Sequence, residues 1–326
     1  MNGFAMQQLK ALWITLALGA LIMGSGCSST TEEEVRIGTN SWPGYQLLHY
    51  ATHQGLWQAD QIEVVPLRSA SQVMLALEAD VINVAALTLD ETMQMMDRGL
   101  DLQIVAVMDI SHGADMLLAK PHVASLKDLK GKTLVFESTA LGAYLMQRAL
   151  MVGGLSVDDV RLLSQNAEHH EEAFRRSDVD ALITYEPFAS RIKRLGGQVR
   201  FSSMDIPNEI IDVLVVRKGR LSDEQIEDLL TSYYLAFNHY IGHQDVFFEF
   251  VADQLKLSVL DTKEAFKSIV MPNAHDSAHI MAGSLKQTWP LMADVLLKAQ
   301  LIQKVPSIEG VLFPYRLTRL NEVNEK

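Results

Sequence analysis

The stretch Val81-Ile-Asn-Val-Ala-Ala-Leu-Thr88-Leu-Asp-Glu91 decides the fold. Its first six residues predict a strand. Thr88 and Glu91 have the spacing of a capping box, which starts a helix that runs to Arg98. A further strand is predicted at 102–108, so a strand, a helix and a strand follow one another as in the repeating unit of an α/β protein.

The same alternation extends toward the amino terminus. Strands are predicted at 35–38 and 62–67, and helices at 45–54 and 71–79. Parallel strands need a crossover connection, which each intervening helix supplies. Three successive βα units therefore predict a parallel sheet that is covered by helices and has right-handed crossovers.

A second series of elements follows this first sheet. From Ser222 onward the sequence is mostly helical, beginning with a capping box at Ser222-Asp-Glu-Gln225. Two series of elements predict two lobes, which also suits a chain of 326 residues. The second series comprises predicted strands at 116–119, 133–136, 160–163, 181–184 and 211–216 and predicted helices at 140–152 and 168–176.

The composition excludes several classes of protein. The chain is 48% hydrophobic and 21% charged, as in a globular protein and not a disordered one. Its net charge of −12 argues against a nucleic-acid partner, because contact with a phosphate backbone needs clustered Lys and Arg. With one cysteine, the chain forms neither an internal disulfide framework nor a cysteine-based zinc site.

The amino-terminal region predicts export and a lipid anchor. A 13-residue apolar run at 11–23 has the length of a signal-peptide core and is too short to span a membrane. It ends in Gly24-Ser-Gly-Cys27, which resembles the bacterial lipobox with Gly24 in place of the usual Leu. The resemblance implies a signal peptide at 1–26, a diacylated Cys27 and a flexible tether at 27–34. The alternative is an ordinary cleaved signal with an incidental cysteine.

Several further short elements occur in an order that is found in one protein family. They are Ile37-Gly-Thr-Asn-Ser-Trp42, Ala76-Leu-Glu-Ala-Asp80-Val, Ser125-Leu-Lys-Asp-Leu-Lys-Gly-Lys132, Gly153-Gly-Leu-Ser-Val-Asp-Asp-Val160, Ser177-Asp-Val-Asp180-Ala-Leu and Glu186-Pro187. In this order they resemble the type II periplasmic solute-binding proteins, in the branch that serves ABC importers of nitrate, sulfonate, taurine and thiamine precursors. The resemblance extends over residues 35–317.

The resemblance implies a two-lobed α/β fold. Each lobe is expected to hold a parallel or mixed sheet flanked by helices, and two crossing strands are expected to form a hinge. Lobe one is predicted at 35–113 and 217–326, and lobe two at 114–216. The ligand is then expected in the cleft between the lobes, where it favours the closed form because it contacts both.

The position of the binding site also follows from the predicted sheets. In open α/β sheets, ligands lie at the carboxyl ends of the strands, where helix N-termini present free N–H groups. The loops at these ends supply the candidate ligand-binding residues Asn40, Trp42, Tyr45, Arg68, Ser69, Ser71, Thr88, Asp90, Ser138, Thr139 and Glu186.

Each candidate also has a purely structural interpretation. Trp42 and Tyr45 form either a stacking wall for the ligand or a packed cover on the lobe. The Ser and Thr candidates suit helix caps, and capping is compatible with binding. Arg68 either faces an anionic group or is solvated. Glu186 either binds a cationic or N–H group of the ligand or caps the helix after Pro187.

The sequence predicts neither an enzyme nor a metal or cofactor site. It contains no Gly-x-Ser-x-Gly, Walker A or Gly-x-Gly-x-x-Gly motif. His169-His170-Glu171-Glu172 is expected on a solvated helix face, and His275 with His279 is expected to be a surface pair.

We therefore expect a lipid-anchored solute-binding protein of the periplasm or cell envelope, which delivers a small polar organic solute to an ABC permease. Two alternatives stay open: a ligand-sensing lipoprotein that reports to a membrane receptor, and a thiamine-pyrimidine synthase-like enzyme. Arg68 suggests an anionic ligand, whereas Asp90, Asp115 and Glu186 suggest an amine or a heterocyclic N–H. A taurine-like sulfonate and a pyrimidine both remain candidates.

Overall fold

The computed structural model describes residues 34–57 and 62–314 of the chain. The predicted signal peptide, Cys27 and all but the last residue of the predicted tether lie outside the described residues. No helix in the described ranges is both long enough and apolar enough to cross a bilayer.

The strands of the described chain agree closely with the sequence pattern, and the two that were not predicted are β9 and the two-residue β11. The strands are β1 Val35–Thr39, β2 Ile62–Pro66, β3 Val84–Thr88, β4 Leu102–Ser111, β5 Asp115–Ala119, β6 Thr133–Phe136, β7 Arg161–Ser164, β8 Ala181–Tyr185, β9 Gln198–Ser202, β10 Ile211–Arg217 and β11 Ile269–Val270.

The helices follow the strands in the alternation that the sequence predicts, and the segment after β10 is mostly helical. The helices are α1 Gln46–Gln54, α2 Ala70–Glu78, α3 Leu89–Asp97, α4 Ala140–Gly153, α5 His170–Arg175, α6 Phe188–Arg194, α7 Asp223–Gly242, α8 Gln244–Leu255, α9 Val259–Phe266, α10 Ala274–Ala282 and α11 Ser284–Lys298.

The first sheet has six strands in the order β11-β4-β10-β3-β1-β2. Strand β1 is parallel to β2 and β3, with Ile37 opposite Val84. Strand β10 lies between β3 and β4 and is antiparallel to both. The prediction of a parallel sheet is therefore correct for β1 to β3 but wrong for the sheet as a whole, because β10 returns from the second sheet and enters in the opposite direction.

The second sheet has five strands in the order β7-β6-β8-β5-β9. Strand β6 is parallel to β7 and β8, whereas β5 is antiparallel to β8 and β9. Both sheets are thus mixed and flanked by helices, which confirms the predicted fold class.

Two connecting segments join the sheets, one between β4 and β5 and one between β9 and β10. The hydroxyl of Ser203 contacts the hydroxyl of Ser111 at 2.8 Å and accepts the N–H of Gly113 at 2.6 Å, so the two segments are hydrogen-bonded to each other. Strand β10 pairs in the first sheet, although the predicted lobe two includes residues 211–216. The lobe boundaries themselves remain a prediction.

The apolar core occupies both faces of the first sheet. An aromatic cluster fills one face, including the buried side chains of Tyr233, Tyr234, Phe247 and Phe248. These rings belong to α7 and α8 and form part of the core between those helices and the sheet. The opposite face shares a core with the second sheet and with α4 and α11.

Candidate functional site

A small cavity lies at the carboxyl ends of β1, β3, β6 and β8. Residues from both sheets contribute to its wall, as the fold predicts for a ligand site. Twelve residues line the cavity: Asn40, Trp42, Tyr45, Ala70, Thr88, Glu91, Asp115, Glu137, Thr139, Leu141, Tyr185 and Asp212.

The loop after β1 positions two aromatic rings against this cavity. Asn40 Oδ1 accepts the backbone N–H of Trp42 at 2.8 Å, and a short 3-10 turn at Pro43–Tyr45 directs the chain into α1. A Cβ on Gly44 would overlap the Asp109 carboxylate, so the absence of a side chain at Gly44 lets that carboxylate approach the loop. The Ser-Trp-Pro-Gly loop therefore packs closely against the buried carboxylate of Asp109.

The aromatic wall consists of Trp42, Tyr45 and Tyr185. Trp42 is 5% exposed, and its ring lies edge-on to Tyr185 with a centroid distance of 6.1 Å. Tyr45 is also buried. Trp42 and Tyr45 are therefore packed residues that also line the cavity; their contact with a ligand stays a prediction.

The polar part of the cavity wall is acidic. Glu91, Asp115, Glu137 and Asp212 all line the cavity, and each is 5% exposed or less. Within the part of the chain that the structure describes, no Lys or Arg lines this cavity. Oδ2 of Asp115 has no hydrogen-bond partner among the described residues.

Burial raises the pKa of each of these carboxyl groups, because the charged form loses hydration. The pKa of Glu91 rises to about 8, with burial as the largest cause and the charge of Asp90 as the next. Burial brings the pKa of Asp115 and that of Glu137 to about 7. The pKa of Asp212 is raised further by burial and by the charge of Asp109. At neutral pH the cavity therefore holds both protonated and ionised carboxyl groups.

Two predicted helix caps stand at the edge of the cavity. Thr88 and Glu91 form the predicted capping box, with Thr88 N donating to Glu91 Oε2 at 3.1 Å. Thr139 Oγ1 accepts the N–H of Gly142 at 3.1 Å and caps α4. Capping is confirmed for both threonines, and both also line the cavity.

Several other predicted site residues do not line the cavity. Ser69 is buried and caps α2 by accepting the N–H of Gln72 at 3.3 Å. Arg68, Ser71 and Ser138 have exposed side chains. The exposed position of Arg68 supports its solvated interpretation, because the turn into the α2 cap directs it to the surface.

Two predicted acids are buried outside the cavity lining. Glu186 accepts the N–H of Ser190 at 3.0 Å and a hydrogen bond from Lys193 Nζ at 3.3 Å, so it caps α6. Asp90 is fully buried, its carboxyl oxygens have no hydrogen-bond partner in the described chain, and burial raises its pKa to about 6.

Seven of the twelve described lining residues were absent from the candidate set: Ala70, Glu91, Asp115, Glu137, Leu141, Tyr185 and Asp212. Glu91 and Tyr185 lie in the post-strand loops that the sheet rule selects but were not themselves chosen, and Asp115 was considered only as an indication of the charge of the ligand. Glu137 directly precedes the candidate Ser138, so the rule of strand ends was sufficient to find it. Asp212 lies within β10, and only the antiparallel insertion of that strand brings it to the cavity.

The histidine clusters contain no metal site. In the described residues, no group of three or more His, Cys, Asp or Glu side chains is arranged to hold a metal ion. The expected solvated face is wrong at His170, which is fully buried. Its Nδ1 contacts Thr184 Oγ1 at 2.9 Å and its Nε2 contacts Gln165 O at 3.0 Å. Burial lowers the pKa of His170 to about 4.

Two mixed sheets, two connecting segments and a cavity lined from both sheets define the type II periplasmic-binding-protein fold. The alkanesulfonate-binding protein SsuA of Xanthomonas axonopodis, bound to MOPS, superposes with a TM-score of 0.73 at 17% identity, over 86% of this chain and 98% of that chain. The periplasmic aliphatic sulphonate binding protein SsuA of Escherichia coli gives 0.70 at 20% identity, over 86% and 92%. The desulfurization enzyme DSZB gives 0.65 at 16% identity, over 90% and 99%. At these identities the likeness establishes the fold.

Residues 28–229 match the NMT1-like family, and the chain belongs to that family. The predicted relationship to the nitrate, sulfonate and taurine binding proteins is confirmed by this match together with the fold. No curated protein matches the chain.

Proposed function

We propose that the protein captures a small polar organic solute in the cavity between its two sheets. The observation that carries this proposal is a cavity that is lined from both sheets by aromatic and buried polar side chains. Small-molecule sites typically combine apolar and aromatic walls with a few placed polar groups. The SsuA relatives are named as sulfonate-binding proteins, which supports a binding role for the same fold.

The named relatives support binding as the function. Both SsuA proteins are named as binding proteins. DSZB is an enzyme of the same fold, so the fold alone does not separate the two functions. The buried carboxyl groups of the lining are also of a type that serves as general acid or base in enzymes, so a turnover assay belongs beside the binding test.

The proposed test is native mass spectrometry of the purified protein, before and after incubation with the small-molecule fraction of a cell extract. Ala70 lines the cavity and is 6% exposed, so Ala70→Leu should fill part of the cavity and abolish the bound mass. Ala79→Leu at the exposed end of the same helix is the matched control and should keep it. Wild-type protein that retains no small molecule in either preparation contradicts the proposal.

The proposed cellular setting is the periplasm or cell envelope, where a lipid on Cys27 holds the protein near an ABC permease. The apolar run before Cys27 and the periplasmic SsuA relatives support this setting. Cys27→Ser should leave the protein either soluble or as an uncleaved precursor, which detergent partitioning and intact mass distinguish. A Cys27→Ser protein that is still processed after Gly26 and still enters the detergent phase would overturn the anchor.

A further inference from the structure

We propose that the cavity takes an organic cation that carries N–H donors, such as an amidinium, a guanidinium or a primary ammonium on a small body. This inference rests on the proposed solute-binding function and names the chemical class of the solute. It differs from the sulfonate that the SsuA relatives are named for, although the fold is shared.

The first argument is the charge of the wall. Four carboxyl groups line the cavity, and no described Lys or Arg offsets them there. Each carboxyl that ionises raises the cost of placing an anion beside it, and the low polarizability of the buried wall increases that cost. A cation instead lets neighbouring carboxyl groups ionise together.

The second argument is the supply of hydrogen-bond donors. Trp42 Nε1 donates to Asp109 at 3.1 Å, Tyr45 donates to Asp212, and Tyr185 donates to Glu137 at 3.5 Å. The aromatic donors of the wall are therefore already used within the protein.

The acceptors of the wall are not all used. Asp115 is 1% exposed, lines the cavity, and its Oδ2 has no hydrogen-bond partner in the described chain. A buried acceptor without a partner is costly, so a ligand that brings a donor to this atom gains affinity. The cavity thus favours a ligand that donates.

The third argument separates an organic cation from a metal ion. The described carboxyl groups form no cluster that could hold a metal, whereas the aromatic rings of Trp42, Tyr45 and Tyr185 in the lining suit a flat or apolar cationic body. One feature of the wall favours an anion: α2 and α4 both begin at the cavity edge, and neither has an acidic residue in its first turn. A sulfonate probe tests that feature directly.

The experiment compares four probes with similar bodies by calorimetry and thermal shift. Benzamidine is the N–H cation, benzamide its neutral isostere, benzyltrimethylammonium a cation without N–H, and benzenesulfonate the anion. We expect benzamidine to bind at least about tenfold more tightly than each of the other three, because it alone combines charge with N–H donors.

The outcomes separate the ligand class from the solute-binding function. Equal or tighter binding of benzenesulfonate or benzamide overturns the cation and leaves solute binding intact. Equal binding of benzyltrimethylammonium overturns the requirement for N–H donors. If none of the probes binds at millimolar concentration while native mass spectrometry shows a retained solute, the ligand class is wrong; if no solute is retained either, both proposals fail.

Two substitutions test whether benzamidine binds in this cavity. Asp115→Asn should weaken benzamidine binding about tenfold or more without lowering the thermal stability of the free protein, because it removes a buried carboxyl and keeps the shape. Glu137→Gln provides a second test at the same wall if Asp115→Asn does not fold. Glu249→Gln on an exposed face of α8 is the control and should leave binding unchanged. Unchanged benzamidine affinity in folded Asp115→Asn and Glu137→Gln overturns the proposed site.

Discussion

Glu137 shows what a buried carboxyl costs a folded protein. It is 5% exposed, and its described hydrogen-bond partner is Tyr185 at 3.5 Å. No Lys or Arg among the described lining residues compensates its charge. Its burial therefore costs folding stability, as the proposed ligand-binding role would require.

The free-energy cost of burying the Glu137 carboxyl should depend on pH. Burial raises its pKa from 4.5 to about 7 in the folded protein. Between these values the folded state binds more protons at this group than the unfolded state does, so its contribution to stability falls as the pH rises and is constant above about pH 7. Glu137→Gln should remove this loss and gain up to roughly 3 kcal/mol relative to wild type at pH 8.

Urea unfolding at pH 5, 6, 7 and 8 measures this difference. Glu249→Gln, an exposed acid, should track the wild type at every pH. A Glu137→Gln advantage that is the same at pH 5 and pH 8 would show that the effect is packing and not proton linkage.

Some lining residues could be located from the sequence and others could not, because their positions have different causes. Trp42, Tyr45, Thr88 and Thr139 line the cavity because of the strand end or the helix start next to them, which a local pattern reveals. Asp212 reaches the cavity because β10 pairs with β3. Its partner in that pairing is Thr88, which lies 124 residues earlier in the chain (212 − 88). No local pattern specifies such a pairing.

At the scale of elements, the helix starts were the most predictable features. The capping boxes at Thr88 and Ser222 are both formed, because they depend on side chains only three residues apart. The strands were found by their apolar runs, but their direction was not, since an inserted antiparallel strand has the same composition as a parallel one. His170 is the converse case: its polar neighbours predicted a solvated face, yet Thr184 and Gln165 bind its ring in the interior.

The two segments between the sheets are the elements on which motion depends. Gly113 has a φ of 108°, a region that favours glycine, and a Cβ there would lie 3.2 Å from Met204 on the other segment. The hydrogen bonds of Ser203 to Ser111 and Gly113 hold the segments together. Because the segments are short and mutually bonded, they suit a hinge that moves as one unit.

At the scale of the whole molecule, a solute that contacts both sheets is expected to enter while the sheets are further apart. The sheets share an apolar core, and surface contacts add to it between α6 and the helices of the first sheet. Arg194 on α6 pairs with Asp261 on α9 at 3.1 Å, and Arg191 donates to the carbonyl oxygen of Leu255 at 3.3 Å. The Arg194–Asp261 side chains are 52% and 38% exposed, so solvent screening limits this pair to at most about 1 kcal/mol.

Because this surface pair is weak, we expect the bound solute, and not the pair, to determine closure. Small-angle scattering should give a larger radius of gyration for the dialysed, ligand-free protein than for the saturated protein. The saturating ligand is benzamidine or the solute released from the purified protein. Arg194→Glu should weaken solute binding by no more than about fivefold, and the exchange Arg194→Glu with Asp261→Arg should restore it. A radius of gyration that does not change on binding would mean that the cavity fills without movement of the sheets. The proposed hinge would then have no role in capture.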